Sequence, residues 1–169
     1  MNAKNAINDI EGIDGVDYIN VYSKGLTELG QKTSHFSFSH FVHPEFGEFD
    51  SMEAFWIFIK AKNPEDPEVQ KLRKLVGYQA KVHGRTIETK HVPNFHELIL
   101  SGNWHKFNQN PVLKDLMVNF QPHLPFVHFY IASNGKTTIR PLGYEWLIAG
   151  FEEIRKRLIL QARVLKGEE

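Results

Sequence analysis

The chain has no cysteine among its 169 residues, which removes disulfides, thiolate nucleophiles and cysteine metal sites together. It has no excess of either charge, since Lys plus Arg and Asp plus Glu number 20 each. No global field therefore draws nucleic acid or an anionic membrane, and polyanion binding would need a local patch. No apolar run approaches the length of a bilayer-spanning helix. The opening MNAKNAINDIEGIDGVD is polar and acidic, unlike a secretory signal, so the reading is of a cytoplasmic protein. GxGxxG, the Walker loop, GxSxG and HExxH are also missing, which argues against the families that carry those motifs and no others. His, acids, Lys and hydroxyls are left to carry any chemistry.

What is present suffices for one substantial core. Hydrophobic residues make up 41% of the chain, and the expectation is a single domain over 17–166 behind a flexible N-terminal arm, 1–16. DYINVYS alternates like a short strand. Asp50 followed by Glu53 matches a capping box opening a helix over 51–62. Asp66 and Pro67 give the cap and first residue of a second helix reaching 77–81, and HGRTIETKHVP reads as a loop. A third helix fits 94–101 with Gly102 closing it, and Asn110 with Pro111 starts a fourth. LPFVHFYIA and KTTIR flank Asn134 and Gly135, a hairpin-turn dipeptide. A long amphipathic helix over 144–166 ends the chain. The fold class expected is mainly α with a few short β-strands.

Glu53 stands out, because Phe49, Phe55, Trp56 and Phe58 surround it in the sequence. A carboxylate among rings is paired, hydrogen-bonded or shifted in pKa. It is either a helix cap or a working group, and composition alone favours the cap. Lys24 is by default a solvated loop lysine; as a nucleophile it would need burial or a cationic neighbour. His35, His40 and His43 lie close together, yet no cysteine or acid motif completes a metal site, so none is expected. Gly84 and Arg85 offer a loop that could hold a phosphate, a weak signal by itself.

Taken in order, these segments resemble the NADAR superfamily, also called YbiA-like. VYSK (21–24) and TSHFS (33–37) stand where the family has an aromatic-Tyr-Ser stretch and an FSNFS-like loop. SMEAFWIFIK matches its Ser-Glu helix with aromatics and a Lys, and AKVHGR its Ala-Lys-x-x-Gly-Arg segment. KFNQNPVLKDLM matches KF-x-QNP-x-L-x-x-L-L, and PLGYEWLIAGFEEIRKRL the Leu-Gly turn and Ile-Arg helix. The resemblance covers about 17–158. It departs at His35, where the family has Asn, and at Met52, where it has Ser. It departs most around FVHFYIASNGK, where His128, Tyr130 and Asn134 stand near the places of two family carboxylates. The architecture and short length resemble the small, divergent members found in tailed phages, which would place it in an infected bacterial cytoplasm.

The resemblance implies an N-glycosidic hydrolase acting on ADP-ribose-linked or related ribosyl compounds, ADP-ribose on nucleobases among them. It implies Lys24 as an amine nucleophile and Glu53 as the acid that orients ribose or accepts a proton. Tyr22, Ser34, His35, Phe36, Trp56, Arg85, Lys106, Tyr130 and Asn134 would hold the ligand, the rings by stacking and the cations by meeting phosphates. No cofactor is implied. The partners would be an ADP-ribose or NAD-like small molecule, ADP-ribosylated nucleic acid, or a host protein, and no membrane. The missing carboxylates leave a second reading open, a binding module that has kept the pocket and lost the chemistry.

Overall fold

The computed structural model describes residues 10–167. The fold class is the expected one: seven α-helices and six short strands among the described residues. The chain gathers into two compact units. One, the contiguous unit, runs from His35 to Lys114; the other, the split unit, joins the residues before it to those after it.

In the contiguous unit, β2 (Phe41–His43) and β3 (Gly47–Phe49) form an antiparallel hairpin that pairs Phe41 with Phe49 and His43 with Gly47. Sequence reading took this stretch for loop, because three-residue strands give no readable alternation. Helix α2 (Met52–Phe58) follows, and its cap differs from the expected one. Ser51, not Asp50, is the N-cap: its hydroxyl accepts the Ala54 N–H at 3.2 Å and donates to Leu75 O at 2.8 Å. Asp50 instead pairs with His40 Nδ1 at 2.7 Å. Phe41 and Phe49 meet the Phe55 ring edge-on at 5.7 and 5.2 Å, and Phe58 meets Phe49 edge-on at 5.1 Å. All four rings belong to the buried core.

The second expected helix is broken. Asp66 does cap α3 (Pro67–Gln70), and a 3₁₀ turn carries the chain to Lys74, but Gly77 at φ +57° starts a separate helix, α4 (Gly77–Gly84). The Arg73 guanidinium lies 4.4 Å from the Phe58 ring and donates to Phe46 O at 2.6 Å, fastening the hairpin turn. Helix α5 (Phe95–Gln109) runs through Gly102 rather than stopping there. A Cβ at Gly102 would lie 2.6 Å from Phe55 Cε1, so this glycine allows close packing and ends nothing. Gln109 lays its carboxamide along the β2 edge, donating to Val42 O and accepting from Val42 N–H, both at 2.8 Å.

Helix α6 (Pro111–Asn119) leads on to the split unit. There β1 (Ile19–Asn20) pairs in parallel with β4 (Phe126–Val127). The Asn20 carboxamide extends that pairing by exchanging two hydrogen bonds with the Phe129 backbone. Helix α1 (Glu28–Thr33) packs on β1, and Gly30 is required there: a Cβ would lie 2.2 Å from Asn20 O. β5 (Tyr130–Ile131) and β6 (Thr138–Ile139) form the expected hairpin. The long helix α7 (Glu145–Lys166) buries Leu147, Phe151, Ile154 and Leu158, and ends on Gly167 at φ +70°. Arg155 is buried on it, stacked 4.3 Å from Phe126 and donating to Leu124 O at 2.9 Å. Residues 1–9 of the expected arm lie outside the described residues. Within 10–16, Asp14 accepts the backbone N–H groups of Asn20 at 2.9 Å and Leu26 at 2.6 Å, tying this stretch to the strand and the turn behind it.

Candidate functional site

Glu53 occupies the first turn of α2, but its own N–H donates to His35 O at 3.0 Å. Ser51 holds the cap, so the carboxyl is released from that task. Burial pushes its pKa up, while Lys81 and then Lys60 pull it back. Lys60 follows the end of α2, and Lys81 comes from α4. Burial lowers the Lys60 ammonium and Glu53 opposes that shift. The acid is thus moved toward its protonated form and the amine toward its free base. This is the direction required of a proton donor beside a nucleophile or base.

Rings surround the three charges. Lys60 Nζ lies 5.7 Å from the Trp56 ring and 5.5 Å from Phe95, which meet edge-on at 4.7 Å. Lys81 Nζ lies 5.7 Å from Phe36. His35 tilts against Trp56 at 5.7 Å, and its Nε2 accepts from Asn103 Nδ2 at 3.1 Å. Asn103 is fully buried on α5; its amide also donates to Ile99 O, while its Oδ1 has no protein partner. Lys60 further lines a cavity of about 500 Å³ in front of α5.

Of the residues expected from sequence, His35, Phe36, Glu53 and Trp56 come together here. Arg85 is exposed beyond α4, and its segment contributes Lys81 and Gly84 instead; a Cβ at Gly84 would lie 2.5 Å from Ile57 Cδ1. Lys106 is corrected outright. It is fully buried, and burial lowers it to about 7, so its ammonium is not available to a phosphate in solution.

Lys24, Tyr22, Ser34, Tyr130 and Asn134 belong to the split unit. Lys24 is exposed in a turn closed by Gly25 N–H donating to Tyr22 O at 2.9 Å. Ser34 is buried as the C-cap of α1, and Tyr22 is half-buried. Tyr130 lies on β5, its ring 6.4 Å from His128. Asn134 Oδ1 accepts from Lys136 N–H at 3.0 Å and Thr137 N–H at 2.9 Å, which fully engages it in its own turn. Among the described residues, no group of three His, Asp or Glu side chains is placed to hold a metal.

Lys60 and Lys81 are the functional candidates that residue-by-residue reading passed over. Their signals were present, as the Lys seven positions after Glu53 and the Lys of AKVHGR. Nothing local says that α4 packs on α2 and brings Lys81 to the acid.

His43 offers a different arrangement and excludes it. Its Nε2 lies 3.0 Å from Ser101 Oγ, as in a serine–histidine pair, but its Nδ1 accepts the Glu45 N–H at 3.2 Å. That bond places the ring proton on Nε2, which donates to the hydroxyl and cannot deprotonate it.

The fold these elements build, mostly helical with isolated pairs of short strands, defines the class as YbiA-like. The NMR structure of the E. coli protein YbiA is similar to it over 92% of this chain and 92% of that one, with a TM-score of 0.61 and 17% sequence identity. Both units fall within the compared span, and at that identity the likeness is one of fold. No family model matches the sequence, and no curated protein does. No described helix is long and apolar enough to cross a membrane.

Proposed function

We propose that the chain is an N-glycosidic hydrolase of NADAR type, acting on ADP-ribose-linked or related ribosyl compounds, ADP-ribosylated nucleobases included. The observation that carries this reading is the Glu53–Lys60 pair: an acid raised and an amine lowered by the same burial, beside Lys81 and three rings. Lys60, in its free-amine form, attacks the ribose anomeric carbon. The bond from that carbon to the base nitrogen breaks, its electron pair stays on the nitrogen, and Glu53 supplies the proton. The Glu53 carboxylate then takes a proton from the alkylated amine, and water cleaves the carbon–amine bond to release the sugar and restore Lys60. Trp56 and Phe36 offer faces for stacking a base.

Lys24 remains the other candidate amine. ADP-ribosylated DNA incubated with the wild type and with Glu53→Gln, Lys60→Ala and Lys24→Ala decides between them. Glu53→Gln and Lys60→Ala are expected to cost roughly 10²–10⁴ in kcat. Loss with Lys24→Ala alone reassigns the amine, and identical traces from wild type and Glu53→Gln remove the enzymatic reading. We propose further, on the resemblance to small phage members, that the protein acts in the cytoplasm of an infected bacterium.

One observation favours the second reading, a binding module without turnover. The hairpin where the family carries acids has the self-bonded Asn134 and no carboxylate between Phe126 and Arg140. Calorimetric titration with ADP-ribose and NAD tests it: binding without turnover supports the module, and a host protein would then be the target sought.

A further inference from the structure

At Gly102 helix α5 closes on α2: a Cβ there would lie 2.6 Å from Phe55 Cε1 and 3.1 Å from Met52 Cε. The next residue, Asn103, is fully buried, and this close approach carries its carboxamide to His35. The amide nitrogen has two hydrogens and meets two groups, Ile99 O at 3.0 Å and His35 Nε2 at 3.1 Å. A carbonyl oxygen only accepts, so the contact with Ile99 O fixes which way the carboxamide faces, and its nitrogen points at the imidazole. His35 Nε2 is therefore an acceptor, and the single proton of the neutral ring sits on Nδ1. The oxygen of the same carboxamide is left buried with no protein donor. Such a carbonyl costs stability, and a leucine of nearly the same shape would avoid the cost. Ile99 O already belongs to the hydrogen-bond ladder of α5, so the bond to His35 is what the amide adds.

We propose that Asn103 is a positioning residue of the Glu53 site that acts through His35, locking the imidazole in the Nδ1–H tautomer and at one angle against Trp56. Whatever meets Nδ1, protein or ligand, must then be an acceptor. His35 is tied to the acid through its backbone, since His35 O accepts the Glu53 N–H at 3.0 Å. Its ring is tied to the stacking face, 5.7 Å from Trp56. Holding this one side chain therefore orders the part of the site that joins the acid to the indole. The link to turnover rests on the hydrolase reading given above, whereas the tautomer does not.

The test uses the full isotope-labelled chain and reads the His35 ring from its two-bond proton–nitrogen correlations, above the histidine titration range. The wild-type ring should carry its proton on Nδ1. In Asn103→Asp the carboxylate has no hydrogen to give, so a proton should appear on Nε2; in Asn103→Leu both tautomers should be populated. With ADP-ribosylated DNA as substrate, kcat should fall roughly tenfold to a hundredfold in both variants. Asn103→Leu should nevertheless match or exceed the wild-type melting temperature, because the buried carbonyl is gone. A residue that only supports the fold would show the opposite, a lowered melting temperature with kcat intact. That result, a wild-type ring protonated on Nε2, or one tautomer shared by wild type and Asn103→Asp overturns the proposal. A tautomer that switches as described in a protein without turnover supports the role of Asn103 and removes the hydrolase reading. Turnover with a kcat indifferent to both substitutions does the reverse.

Discussion

Lys106 pays an electrostatic cost for its place on α5. Its ammonium is fully buried, and its pKa falls from 10.5 to about 7. A base whose folded pKa lies below its unfolded value leaves the unfolded chain holding more protons between the two. Stability should therefore climb as pH rises from 7 toward 9. Urea denaturation across that range should show the midpoint rising in the wild type and rising much less in Lys106→Met. An equally steep rise in the variant would refute the assignment. The resemblance implied Lys106 as one of the cations that meet phosphates. Only the packing of α5 reveals otherwise. Glu53 is the opposite case. The rings beside it in sequence announced a perturbed acid, and the structure bears out the desolvation. The capping role was misread because Asp50 and Ser51 are both good caps, and choosing between neighbours needs the backbone angles.

The cap of α2 can be tested directly. Ser51→Ala removes the acceptor for Ala54 N–H and the donor to Leu75 O, and should cost about 1–2 kcal/mol. Asp50→Ala, which loses a partly exposed pair with His40, should cost no more than about 0.5–1 kcal/mol. Chemical denaturation that reverses this order would return the cap to Asp50. Gly102 makes a second contrast within α5. On helix propensity alone, Gly102→Ala gains about 1 kcal/mol. The added Cβ, however, would press to 2.6 and 2.8 Å from two atoms of the buried Phe55 ring, and overpacking of that kind costs about 1–3 kcal/mol. A lowered melting temperature is expected, and a raised one would show that the ring can move aside. The same glycine explains why the third helix was cut short in sequence, since a terminator and a close-packing glycine look identical there. The motifs divide similarly. In KFNQNP the Gln109 side chain completes the β2 edge and Asn110 holds His40 O, and in the Ile-Arg pair Arg155 stacks on Phe126. Those segments build the fold. Only SMEAFWIFIK and AKVHGR supply charges to the candidate site.

At the scale of the whole molecule, three histidines set the acid limit. Burial lowers the pKa of His43, His105 and His128, with His105 also lowering His43 and a bond to Val21 O opposing the shift at His128. Each favours the neutral ring in the folded state. Their contribution is fully present above about pH 6.5, the ordinary histidine value, and is lost as pH falls through the lowered folded values. Melting temperature should start to drop below about pH 6.5, before most carboxylates titrate. Replacing His128 with Asn should reduce that slope, and an unchanged acid profile would count against it. The helical class and the β5–β6 turn were legible because helix periodicity, caps and Asn-Gly are local signals. The division into two units was not, because it depends on Ile19 and Asn20 finding Phe126 and Val127, and two-residue strands name no partner.

That parallel pairing also orders events in time. As the chain leaves the ribosome, Ile19 and Asn20 emerge early and have nothing to pair with until Phe126 and Val127 are made. The stretch from His35 to Lys114 lies entirely between them and contains its own hairpin, helices and ring core, so it can condense first. Synthesis thus completes the part that holds Glu53, Lys60 and Lys81 before β1 has a mate.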